Sequence, residues 1–128
     1  HGYVAPLRDW LAADRPLLGI CLGLQVLCES SAESPGVGGF GVVPAPVVRF
    51  VPTPDCKVPQ IGWNRVRRVP GPECPLFRGI PDGSYFYFVH SYYLPGVPGW
   101  DAGRTSHGVE YTSAVCRGRR AAVQFRPE

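Results

Sequence analysis

Cysteine, histidine and carboxylate side chains together run acyl-transfer chemistry, and this sequence sets one cysteine apart. Gly19-Ile20-Cys21-Leu22-Gly23-Leu24-Gln25 follows an apolar lead, Pro16-Leu17-Leu18, and runs into a helix-like stretch. Strand, sharp turn and helix with a cysteine at the apex is how a fold exposes a nucleophile. The flanking glycines relieve the crowding of a strained turn. The free N–H groups of a helix start favour thiolate over thiol. The same residues also suit a buried structural cysteine at the end of a Gly-containing strand. A working thiol needs a base to take and return its proton, and an acid to orient that base. The histidines are His1, His90 and His107. His1 opens the sequence, His90 ends an aromatic run, and His107 lies in Thr105-Ser106-His107-Gly108, which reads as a turn. Each of the three reads first as a surface or strand-end residue.

The elements that must position these groups follow from periodicity. Apolar residues at 3, 7, 10 and 11 predict a helix over 3–13, with Pro6 in its first turn and Asp14 and Pro16 ending it. A strand over 17–20 and a helix over 22–30 flank Cys21. Residues 31–41 form a Ser/Gly/Pro loop. Its Gly36-Val37-Gly38-Gly39 lacks the Lys-Ser/Thr pair and the strand–helix setting of a phosphate loop. From residue 45 the pattern turns to short strands, predicted at 46–51, 64–69, 84–90, 109–116 and 120–125. Turns rich in Pro and Gly separate them at 52–54, 70–75 and 95–99. Phe86 and Phe88 share one strand face and are predicted in the core. Helix and strand come first and a β-rich half follows, so the class is α/β with an antiparallel β extension.

Composition narrows the functions. The chain has 128 residues, enough for one modest domain, and 18% are charged. Glycine and proline number 16 and 15, scattered between apolar runs, so they read as turns rather than a disordered tract. The net charge is +3, and the basic residues concentrate only at Arg65 to Arg68 and Arg117 to Arg120, which argues against nucleic-acid binding. No apolar run reaches the length of a membrane span. Charges at Arg8, Asp9, Asp14 and Arg15 interrupt any signal-peptide pattern. The five cysteines at 21, 28, 56, 74 and 116 include no Cys-x-x-Cys, which speaks against a disulfide framework and a zinc site and for a reducing, cytoplasmic setting. No metal or cofactor is expected. The first residue is not Met, so an earlier segment is expected.

The end of the sequence, Ala121-Ala122-Val123-Gln124-Phe125-Arg126-Pro127-Glu128, reads as a strand delivering its last residues to a turn. With the elbow at Cys21 it resembles the class I glutamine amidotransferases, whose elbow cysteine attacks the side-chain amide of glutamine. A His-Pro-Glu after a late strand completes their triad. Two further segments, Pro59-Gln60-Ile61-Gly62-Trp63-Asn64 and Phe88-Val89-His90-Ser91-Tyr92, resemble the glutaminase subunits of imidazole glycerol phosphate synthases in particular. The resemblance spans nearly the whole chain. It implies an open twisted sheet with flanking helices, whose first strands and oxyanion loop, some sixty residues, lie before His1. It implies Cys21 as nucleophile, Glu128 as acid, and Arg126 at the position of the family's histidine. It places Gly23, Gln25, Ser91 and Tyr92 around L-glutamine. It places Trp63, Asn64 and Tyr87 at the interface of a heterodimer with a (β/α)8-barrel cyclase that receives ammonia for histidine biosynthesis. A guanidinium holds its proton at any working pH, so Arg126 cannot shuttle one. The alternatives are a catalytically silent relative that binds a partner or ligand, and a cysteine hydrolase of the same fold acting on another amide. Without the opening strands, the sheet is expected to expose an edge and to favour aggregation or a partner.

Overall fold

A computed structural model describes residues 2–70 and 74–126. Helix α1 spans Val4–Ala12, strand β1 Leu17–Ile20, helix α2 Leu22–Leu27, and strands β2 and β3 Cys28–Ser31 and Val43–Arg49. Strand β4 spans Gln60–Arg68, and a single 3-10 turn at Pro75–Phe77 follows it. The rest of the order is β5 Ser84–His90, β6 Tyr92–Tyr93, β7 Asp101–His107, β8 Val109–Arg117 and β9 Arg120–Val123.

The strands form a six-stranded sheet in the order β1-β9-β8-β7-β4-β5 and a three-stranded sheet in the order β2-β3-β6. The class is α/β, with a mixed sheet and few helices among the described residues. The β1–β9 pair is parallel, in the register Leu17↔Arg120 to Ile20↔Val123. The pairs from β9 through β8, β7 and β4 to β5 are antiparallel. Strand β1 ends the order of the larger sheet, and Leu18, Ile20 and Leu22 beside that edge are exposed.

Neighbouring residues of a strand face opposite ways, and two cores result. Val115 and Ala122 join Leu24, Leu27, Val43, Val47 and Trp100 under the helices. Ala114 and Val123, one residue away along β8 and β9, join Phe50, Val66, Phe77, Phe88 and Phe125 on the other face. Phe88 is fully buried and Phe86 stacks on Phe125 at 4.1 Å, the core role predicted for both.

Four local expectations change. The helix predicted to run to 30 stops at Leu27, because Cys28 turns extended and opens β2 beside β3. Strand β7 breaks the period-2 pattern with register shifts around Gly103, which is why periodicity passes over it. A Cβ at Gly103 would lie 2.7 Å from the Val66 side chain, so the residue is there for close packing between β7 and β4. Strand β6 has only two residues and takes its place from pairing with Val48 and Arg49. His107 is the last residue of β7 rather than part of the turn, which begins at Gly108.

Candidate functional site

Cys21 sits between β1 and α2 with φ 55° and ψ −106°. An L-residue rarely adopts that conformation, which carries strain of roughly 1–3 kcal/mol and persists only where the surroundings impose it. The surroundings here are specific. The Cys21 N–H donates to the Val123 carbonyl at 2.8 Å, continuing the β1–β9 ladder into the turn. The Cys21 carbonyl accepts from Leu24 N–H at 3.1 Å, which starts α2. A Cβ at Gly19 would stand 2.9 Å from the Gly23 backbone and 3.2 Å from the Ala122 side chain. Gly19 is therefore glycine because the first turn of α2 folds down onto it. Gly23 differs from expectation. A Cβ there would meet nothing within 4 Å, so packing does not demand its bare backbone.

A chain of polar side chains leads inward from the sulfur. The Gln124 Nε2 donates to Cys21 Sγ at 3.8 Å, and the Gln25 Nε2 donates to Gln124 Oε1 at 3.2 Å. The same Gln25 nitrogen also donates to the Tyr92 carbonyl at 3.4 Å. Both amide protons of Gln25 are thus committed within the fold, and its Oε1 is the atom it can turn to a ligand. Tyr92, predicted beside Gln25, is reached through its backbone. The carbonyl of Ser91 accepts from Phe50 N–H at 3.0 Å, which ties the same segment to β3.

His90 lies beyond Tyr92 in this chain. Its Nδ1 donates to the Tyr92 carbonyl at 2.7 Å. Its Nε2 is 2.9 Å from the Gln60 amide and 3.1 Å from the Tyr111 hydroxyl. Burial lowers its pKa to about 4, against a smaller upward effect of the Tyr92 bond. It is a neutral core histidine with both nitrogens engaged. His107 Nε2 lies 2.7 Å from the Lys57 carbonyl, and its ring meets Phe50 edge-on. Both are held by the fold, as their strand-end positions suggest.

Arg126 follows β9 and donates its N–H to the Tyr87 carbonyl at 2.9 Å. This bridge ties the end of the chain to β5, where Tyr87 meets Trp63 edge-to-face with ring centres 5.6 Å apart. Trp63 is 66% exposed, and Ile61 and Tyr85 nearby are exposed too, so this face of the β4–β5 pair is an apolar surface and not core. Within β4, Gly62 takes φ 130°, which glycine alone adopts readily. Asn64 is separated from Trp63 by the strand alternation. Its Nδ2 donates to the Ser106 carbonyl at 2.8 Å and pins β4 to the end of β7. Glu128 and His1 lie outside the described residues.

A cavity of about 240 Å3 opens beside α2, lined by Leu22, Gln25, Ser31, Glu33 and Phe40 together with Arg8 of α1. Of the site residues predicted from the sequence, Gln25 lines it, whereas Cys21, Gly23, Ser91 and Tyr92 are not among its lining residues. Sequence reasoning gave Glu33 no role; it reaches the cavity from the loop that follows β2.

The class-I glutamine amidotransferase family model matches residues 2–128. The chain belongs to that family. Its sequence is 52% identical over 134 residues to imidazole glycerol phosphate synthase subunit HisH of Thermococcus kodakarensis, covering 96% of this chain and 65% of the relative. It is 46% identical over 128 residues to the HisH subunit of Deinococcus radiodurans, covering 99% of this chain and 59% of the relative. The chain thus spans about three fifths of the length of these relatives. A solved glutamine amidotransferase from Thermotoga maritima shares the fold with a TM-score of 0.66 at 23% identity, over 98% of this chain and 46% of that one.

Proposed function

We propose that this chain is the site-bearing part of a glutaminase subunit of an imidazole glycerol phosphate synthase. The strained elbow at Cys21 carries the reading, supported by the similarity to HisH subunits across almost the whole chain. Glutamine would lie along α2 with its amide carbon at Cys21 Sγ. The Gln25 Oε1 and the Glu33 carboxylate are acceptors and suit the N–H groups of an α-ammonium. Attack of the thiolate on the amide carbon forms a tetrahedral adduct. Its collapse expels the amide nitrogen, which leaves as ammonia once protonated, and leaves a thioester. Water then releases glutamate and regenerates the thiol. The exposed face of Ile61, Trp63 and Tyr85, with Tyr87 beside it, would meet the (β/α)8-barrel cyclase that consumes the ammonia. Histidine biosynthesis in the cytoplasm is the setting this implies.

The proton steps are where this chain departs from that scheme. The leaving nitrogen needs a proton, and the family's histidine position holds Arg126. A guanidinium supplies charge but does not exchange a proton at working pH. Loss of general acid–base catalysis lowers rate by about 10²–10⁴. That substitution also favours a second reading, a silent relative that binds its partner or ligand without turnover. Ammonia release by the full-length protein with its cyclase partner, compared with Arg126→His, separates the two. The parent is expected about 10²–10⁴ below the Arg126→His variant. Equal turnover in the two would refute the role given to Arg126. No ammonia from either, with partner binding intact, would leave the silent reading standing.

A further inference from the structure

The geometry around Cys21 points to a residue that neither the triad pattern nor the resemblance assigns. Helix α2 has only six residues, so few aligned peptide dipoles support a thiolate at its start. A different donor faces the sulfur. Its orientation follows from a fixed point in the backbone. The Tyr92 carbonyl can only accept, so the Gln25 group facing it is Nε2. That nitrogen also reaches Gln124, whose facing atom must then be Oε1. The Gln124 Nε2 is left facing Cys21 Sγ. Gln124 is 1% exposed, so water does not compete for its N–H. Its own backbone N–H is held by the Ser113 carbonyl at 2.8 Å, which continues the sheet past β9 and fixes where its side chain starts.

We propose that Gln124 is the positioning residue for the Cys21 sulfur, its carboxamide oriented by Tyr92 through Gln25 so that an N–H is directed at the thiolate. This rests on the reading of Cys21 as nucleophile. The role needs no proton transfer and is independent of residue 126. It also links ligand binding to thiol chemistry. A ligand that draws Gln25 away from Gln124 frees the Gln124 amide to rotate.

The test is the rate of iodoacetamide alkylation at Cys21, followed by peptide mass spectrometry on the full-length protein near pH 7 and near pH 10. Gln124→Leu removes the donor and is expected to slow the reaction about tenfold near pH 7, the worth of one hydrogen bond to the reacting sulfur. Gln124→Glu keeps the shape and still accepts from Gln25, so it preserves the chain even if the leucine variant fails to fold. It places a carboxylate against the sulfur and is expected to slow the reaction further. Both variants should recover most of the rate near pH 10, above the range where a free cysteine ionises. A Gln124→Glu rate near pH 7 within about twofold of the parent overturns the assignment. So does a loss that persists near pH 10, because that marks a displaced thiol. A parent Cys21 no more reactive near pH 7 than a cysteine in the unfolded chain overturns the nucleophile reading, and the assignment with it.

Discussion

The conformation of Cys21 makes a prediction with an unusual sign. At most positions glycine is less stable than alanine, by about 0.4–1 kcal/mol, because the unfolded glycine chain has more freedom to lose. At φ 55° and ψ −106° the balance reverses. An L-residue there carries strain of roughly 1–3 kcal/mol, and glycine carries almost none. Cys21→Ala keeps the Cβ and therefore the strain, while losing the sulfur. Cys21→Gly loses both. The glycine variant should be more stable than the alanine variant by about 1.3 kcal/mol at the midpoints of strain and entropic handicap, and by roughly 0 to 2.6 kcal/mol across their ranges. Urea denaturation of the two variants measures the difference, and equal m-values would show that the unfolded states match. Because alanine and glycine both lack the thiol, sulfur packing cancels to first order. An alanine variant more stable than the glycine variant would refute strain at the elbow.

Two further outcomes follow from neighbouring features. Gly19→Ala drives a Cβ to 2.9 Å from the Gly23 backbone, which cannot yield as a flexible side chain would. It should destabilise by about 1–3 kcal/mol in the same denaturation assay and slow Cys21 alkylation, because the first turn of α2 must lift. His90 binds its proton less readily folded, at a pKa of about 4, than unfolded, near 6.5. Its neutral, buried form therefore contributes fully above about pH 6.5, and that contribution is lost as pH falls toward 4. The loss is on the order of 3 kcal/mol and should appear as a falling urea midpoint across that window. In His90→Gln the slope across that window should be largely gone.

The local half of the site was legible in the sequence. Gly19, Cys21 and the apolar lead from Pro16 mark strand β1 and the turn, because the constraints there act between near neighbours. The aromatic run 84–90 marked β5 with the bounds it has. What could not be read was set by distant partners. Cys28–Ser31 has the composition of a helix end, yet it pairs with β3. Asp101–His107 contains Ala, Gly, Arg and Ser in no strand period, yet β8 and β4 hold it on both sides. Gln124 was visible as one polar residue in the apolar run 121–125, and that was its signal. Its meaning required knowing that a glutamine 99 positions earlier faces it. Trp63 reads equally as core or surface from its type, and only the alternation of β4 against its neighbours decides.

The β1–β9 pairing carries a consequence for how the protein is made. The backbone bond that holds Cys21 in its turn comes from Val123, and the side chain that faces its sulfur is the next residue. On a ribosome, the cysteine emerges about a hundred residues before either. Until β9 arrives, the elbow segment lacks the parallel partner it has here, and Gly19 has no Ala122 to lie against. Pairing across such a separation is slow to form and is made after local structure. The thiol is thus an ordinary one throughout synthesis. It becomes a strained one only once β9 has been made, so a protein interrupted before Val123 carries the cysteine without the bond that holds its turn.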